Sequence, residues 1–168
     1  AWYTETAARV ADMAKQYGLR YNIEFLPWAG VRNLQEAITL IDALARDNVY
    51  IMVDTLHAGR AGVTAEELAR TNPKYFNFIH LCDGPAGPDG DPVLDNIKDD
   101  LMLFTARECR LYTGDGVMDI AGMVKALPNI PLSIELPNLE NISKYGVAGH
   151  ARNCIEKAKA YFKANGIE

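Results

Sequence analysis

Four short apolar segments, 21–28, 49–55, 75–82 and 131–136, each carry an ionisable residue near the C-terminal end: Glu24, Asp54, His80 and Glu135. Helix-patterned stretches separate them. Strands that alternate with helices at this spacing pair in parallel through right-handed crossovers. Side chains alternate along a strand, so residues two apart share a face. Asn22, Glu24 and Leu26 share one face of the first strand. Met52 and Asp54, Phe78 and His80, and Ser133 and Glu135 do the same in the others. The opposite faces read Ile23, Phe25, Ile51, Val53, Ile79, Leu81, Leu132, Ile134 and Leu136. One face is built to pack under helices, and the other collects three carboxylates and an imidazole.

A buried ionised carboxylate costs several kcal/mol unless it is paired or bound to a metal. An open parallel sheet is covered by helices on both faces. A closed barrel instead turns one strand face inward, with functional groups at its C-terminal mouth. The polar face therefore fits a barrel wall. The expected fold is α/β, with parallel (β/α) repeats forming the C-terminal half of a TIM (β/α)8 barrel. A whole barrel takes about 250 residues, and this chain has 168. It reads as a single domain, 1–168, of four βα units, incomplete at its N-terminus: half of a longer chain, or a half that assembles with another polypeptide. An open sheet of the flavodoxin kind is the structural alternative, and it leaves Glu24 and Glu135 unexplained.

The helices follow from period and punctuation. Residues 1–17 carry an apolar stripe of Ala8, Val10, Ala11, Met13 and Ala14, with Gly18 as C-cap. Residues 33–47 start at Asn33 with Glu36 three residues on, a near capping box, and bury Leu34, Ala37, Ile38, Ile41, Leu44 and Ala45. Thr64 and Glu67 predict a capping box for a short helix to Arg70. Residues 83–93, rich in Gly, Pro and Asp, predict a long loop. Helices are predicted over 94–111, from an Asp119 cap through Ala126, and over 147–164.

The net charge of −5, with scattered Lys and Arg, argues against nucleic acid and anionic membranes as partners. No apolar run approaches the roughly 20 residues of a membrane span, and no signal peptide opens the chain. Ala1 stands where a Met would open a gene product, which fits processing or truncation. Cys82, Cys109 and Cys154 are odd in number and lack CxxC spacing, so they read as reduced thiols of a cytoplasmic protein.

The motifs YNIEFLPW (21–28), VDTLHAGRAG (53–62), FIHLCDGP (78–85), ARECRLYTGDG (106–116) and LSIELPN (132–138) resemble, in this order, the C-terminal half of the sugar phosphate isomerase/epimerase family. This is the xylose isomerase-like TIM barrel superfamily, which includes inosose and dehydroshikimate dehydratases, tagatose epimerase and endonuclease IV. The resemblance runs along nearly the whole chain. It implies that Glu24, Asp54, His80 and Glu135 are metal ligands. Three carboxylates and one imidazole form a mostly hard donor set, which suits Mn2+ first, then Zn2+, Co2+ or Mg2+.

By the same resemblance the metal acts as a Lewis acid on a hydroxy-carbonyl substrate, and proton transfer runs through a metal-bound enediolate. Glu24 and Glu135 are then acid and base on opposite faces of the substrate. The implied activity is a metal-dependent isomerase or epimerase of a small sugar or keto-polyol. A dehydratase of the inosose or dehydroshikimate type shares the first step and is the alternative. A non-catalytic barrel fragment comes next. A DNA-repair activity of the endonuclease IV kind needs more histidines than remain here, His150 being the one left on a late helix. The expected partner is a small-molecule sugar or polyol, and a homo-oligomer is compatible.

His57 matches a catalytic position of the family that contacts substrate oxygens or lies beside the metal, against a solvated loop histidine. Arg107 and Arg110 resemble substrate-binding arginines, a role that suits a guanidinium fork, against a helix-surface placement. Trp28 either walls the pocket or simply packs. His80 alone also reads as a core histidine, and Glu24 as an arginine partner. Asp83 and Asp115 read as loop acids. The 54 residues between His80 and Glu135, against 29 between Glu24 and Asp54, are the expected site of a lid or recognition loop.

Overall fold

The computed structural model describes residues 2–87, 90 and 99–167. Helix α1 (Trp2–Gln16) leads into β1 (Tyr21–Glu24), α2 (Leu34–Leu44), β2 (Val49–Asp54), α3 (Thr55–Arg60) and α4 (Ala65–Arg70). After a 3-10 turn at Pro73–Tyr75 come β3 (Phe76–Leu81), α5 (Asp99–Glu108), α6 (Ile120–Ala126), β4 (Leu132–Ile134) and α7 (Leu139–Ala164). The four strands are parallel and stand in sequence order, β1-β2-β3-β4. A flavodoxin-type sheet reverses strand order at a switch point. Among the described residues this sheet has no such reversal, which is the order of a barrel wall.

Register carries the face assignment from strand to strand. Glu24 pairs with Met52, Asp54 with His80, and His80 with Ser133. A bulge between Ile51 and Met52 does not disturb it, because Met52 still pairs with Phe78. The helix-covered face holds Ile23, Phe25, Ile51, Val53, Ile79 and Leu81, all buried. On the other face Asn22, Tyr50 and Phe78 are half-buried and Ser133 is exposed.

Local chemistry sets the element ends. The Asn33 carboxamide accepts the Glu36 N–H at 3.0 Å at the start of α2. Thr64 and Glu67 form the full capping box, with bonds of 3.1 and 2.9 Å. The first helix departs from its expected stripe. Ala7 and Ala11 are buried, whereas Val10 and Met13 are exposed. Alanines let the helix lie close to the sheet, and the 3.6-residue period then turns Val10 and Met13 away. In α2 Leu40 is buried, while Ala45 is exposed as a C-cap with φ 49°. The last helix begins before Val147: Asn138 caps a first segment through its bond from the Asn141 N–H, and Gly146, at φ 69°, breaks the axis.

The expected loop at 83–93 and the start of the expected helix at 94 lie partly outside the described residues, and so does part of the expected lid. Among the described residues no helix is long and apolar enough to cross a membrane. The three cysteines are free.

Candidate metal and proton-transfer site

Asp54 ends β2 and starts α3. Its Oδ1 accepts the N–H groups of Leu56 and His57 at 2.9 and 3.0 Å, so one carboxylate closes the strand and caps the next helix. This helix, Thr55–Arg60, lies in a segment for which the sequence pattern predicts no element. Gly59 lets the Met118 side chain pack close: a Cβ would lie 2.2 Å from Met118 Sδ. The helix buries His57, which is 2 % exposed rather than a solvated loop residue.

Glu24, Asp54, His80 and Glu135 converge. One ligand atom from each lies within 4.8 Å of all the others. Glu24 Oε1 and His80 Nδ1 are buried and have no hydrogen-bond partner. His80 Nδ1 lies 3.4 Å from Glu135 Oε2 without hydrogen-bond geometry. A buried acceptor left unpaired costs about 1–3 kcal/mol. Two orphaned donor atoms facing two carboxylates fit a bound cation, and the oxygen-rich set with one imidazole fits a divalent ion.

Arg110 lies just beyond α5 and is buried, not on the helix surface. Its Nη1 pairs with Asp54 Oδ2 and lies 3.1 Å from Cys82 Sγ and 3.2 Å from the Glu135 carbonyl. Nη2 is 2.9 Å from Glu135 Oε2 and 3.3 Å from His57 Nε2, and Nε donates to the Ala106 carbonyl at 2.7 Å. The whole fork is engaged by the protein. His57 Nε2 also lies 3.6 Å from Glu24 Oε1, and the ring meets Trp28 edge-on at 5.0 Å between centroids. The structure therefore brings together Glu24, Asp54, His80, Glu135, His57, Trp28 and Arg110. Arg107 stands apart, exposed in the last turn of α5, and makes no ion pair with the cluster.

Burial pushes the Glu24 carboxyl up to about 7, helped by the neighbouring Asp54 and Glu135 and opposed by Arg110. Burial also works against ionisation of Asp54, but His57, Arg110 and the backbone donors outweigh it and hold this carboxyl below its usual range. Burial pulls His57 down to about 4, so its ring is neutral near pH 7. The Cys82 thiol is pushed up to about 12, first by burial and then by Asp54. It remains a thiol against the guanidinium.

Cys82 also borders the site, beside Arg110 and Asp54, and strand parity from His80 is the sequence signal that points it to the polar face. Asp83 is more than a loop acid. Its carboxylate accepts the N–H groups of Gly84, Gly114, Gly116 and Met118 at 2.9–3.0 Å. It thereby ties the end of β3 to the turn after Arg110. A Cβ at Gly116 would sit 2.2 Å from the Gly84 carbonyl. The spacing of Gly114 and Gly116 after a strand-end aspartate was the available signal. Asp115 pairs instead with Lys157 at 2.7 Å on the surface.

Comparison with known proteins agrees with this architecture. Inosose isomerase of Bacillus velezensis is 27 % identical over 128 residues, 75 % of this chain and 41 % of that protein. Inosose isomerase of Bacillus licheniformis is 25 % identical over 168 residues, covering 95 % and 56 %. A solved structure of the IOLI protein with a binding zinc atom superposes with a TM-score of 0.76 at 23 % identity, covering 95 % of this chain and 55 % of that one. D-psicose 3-epimerase with D-tagatose, from Clostridium cellulolyticum, superposes with a TM-score of 0.66 at 16 % identity, covering 94 % and 53 %. The chain thus spans about half the length of the curated relatives it matches. The family model for the xylose isomerase-like TIM barrel matches residues 1–161, and the chain belongs to that family.

Proposed function

We propose that this chain carries the metal site and the acid–base pair of an isomerase or epimerase acting on a small sugar or keto-polyol. One observation carries the proposal: four ligand atoms from four successive strand ends lie within 4.8 Å of one another, two of them buried without partners. The inosose isomerases among the relatives support a polyol-derived ketone as the substrate class.

Glu24, Asp54, His80 and Glu135 would hold a divalent ion. The oxygen-rich donor set favours Mn2+, and the zinc in the IOLI structure makes Zn2+ the competitor. A bound ion would supply Lewis acidity to a substrate carbonyl, raising the acidity of the adjacent C–H. The remaining work falls to side chains. Glu24 and Glu135 come from the two outer strands, β1 and β4, so they reach the centre from opposite sides. That placement suits removal of a proton on one face and its return on the other. Neutral His57 can donate or accept at a substrate hydroxyl, and Trp28 backs its ring. Arg110 holds Asp54 and Glu135 and keeps positive charge beside the developing anion. Three free cysteines fit a reducing, cytoplasmic setting.

Incubation with inososes and ketoses in deuterated water tests the proposal. Deuterium at the carbon beside the carbonyl, without loss of water, is the expected result. An unsaturated product would assign a dehydratase instead, and no exchange with any of these substrates in the metal-loaded protein would reject the proton-transfer site.

A further inference from the structure

Glu135 lies just past β4, a three-residue strand that pairs, among the described residues, with β3 alone. The ladder reaches it once, through the Glu135 N–H to the Leu81 carbonyl at 3.2 Å. Its side chain is 44 % exposed, so packing does not hold it. Its backbone is nevertheless tied at successive carbonyls. Arg110 Nη1 donates to the Glu135 carbonyl, and the Arg110 N–H donates to the Pro137 carbonyl at 3.2 Å. The intervening Leu136 carbonyl accepts from His150 Nε2 at 2.8 Å. His150 is buried in α7, just after the Gly146 break.

The partners of His150 fix its tautomer. Nε2 faces a carbonyl and must donate, so Nδ1 accepts from the Tyr112 hydroxyl at 2.9 Å. Asn153 Nδ2 reaches the Tyr112 oxygen at 3.5 Å. All donors in this chain point one way, from α7 through Tyr112 and back through His150 to the residue after Glu135. Neither His150 nor Tyr112 belongs to the four-group cluster.

We propose that His150, oriented by Tyr112, is a positioning residue that holds the Glu135 carboxylate in the cluster by fixing the Leu136 carbonyl from α7. The proposal rests on Glu135 belonging to the metal and proton-transfer site. Outer partners that orient a ligand change metal affinity about 10- to 100-fold.

Two variants separate positioning from bulk. Gln in place of His150 can still donate to the Leu136 carbonyl through its amide, whereas Leu cannot. Amide hydrogen exchange of the metal-free chain is read at Glu135 and Arg110, with the α2 amides as control. His150→Leu is expected to speed exchange about tenfold at these two amides alone, and His150→Gln to leave it near wild type. In parallel, Mn2+ titration is expected to give about tenfold weaker binding in His150→Leu and less than about threefold in His150→Gln.

Unchanged exchange at both amides, exchange raised throughout the chain, or equal losses of Mn2+ affinity in the two variants would overturn the proposal. Should His150→Leu not fold, Tyr112→Phe takes its place; exchange about threefold faster at the same amides is expected, and unchanged exchange overturns the assignment. If the wild-type chain binds no Mn2+ or Zn2+, the metal site itself is rejected. The exchange arm then still decides whether His150 holds the segment.

Discussion

Asp54 and Glu24 end neighbouring strands of one cluster, yet the fold treats them in opposite ways. Asp54 is 1 % exposed and fully partnered: two backbone N–H groups take one oxygen and Arg110 takes the other. Its charge is secured by the protein itself. Glu24 is half-buried with an orphaned oxygen, and its carboxyl is pushed up to about 7 chiefly by burial. Its ionised form lacks a partner that the protein supplies. The β2 side of the site is therefore a structural keystone, whereas the β1 side holds a carboxylate oxygen with no hydrogen-bond partner.

The largest effect follows from breaking the Asp54 side. Asp54→Ala removes the cap of α3 and leaves Arg110 buried without its main partner, which should lower the unfolding free energy by about 3–5 kcal/mol. Urea unfolding checks it. Arg110→Met leaves Asp54 as the uncompensated charge and is expected to cost about 3 kcal/mol in the same assay. Gly59→Ala presses a methyl onto Met118 within the helix that Asp54 caps. A loss of about 1–3 kcal/mol is expected.

Glu24→Gln should fall at the other end of the scale, with stability at pH 8 changed by less than about 1 kcal/mol and not lowered. The sign of its pH dependence follows from linkage. The folded chain holds the Glu24 proton more tightly than the usual 4.5 would imply, because its carboxyl lies at about 7. The stabilisation is thus present at low pH and is lost as pH rises through 7. The neutral His57 ring, held down at about 4, contributes the opposite slope in both proteins, so the Glu24 effect is read as a difference: by thermal unfolding, metal-free wild type should lose stability relative to Glu24→Gln between about pH 4.5 and 7. Metal uptake has the opposite slope. The ion must displace the proton, so affinity should weaken as pH falls below about 7.

Strand parity made much of this legible beforehand. Glu24, Asp54, His80 and Glu135 share a face because each lies an even number of residues from a register partner of the next, and periods of two are read directly from sequence. What stayed hidden depends on three-dimensional reach. Arg110 sits beyond a helix end, and nothing in its spacing tells that its fork turns inward to Asp54 and Glu135. In helix α3, Gly59 serves close packing rather than a turn. Val10 and Met13 on α1 face away from the core, and the pattern alone does not tell this, since alanine and larger apolar residues both satisfy an apolar stripe.

Metal content of the purified chain tests the central claim most directly. Wild type, loaded at pH 8 and freed of excess ion, is expected to retain about one Mn2+ or Zn2+ per chain, and Glu24→Gln less than about 0.2. Equal content in the two proteins, or less than about 0.2 ions per chain in wild type, would contradict the assignment of these four strand ends as a metal site.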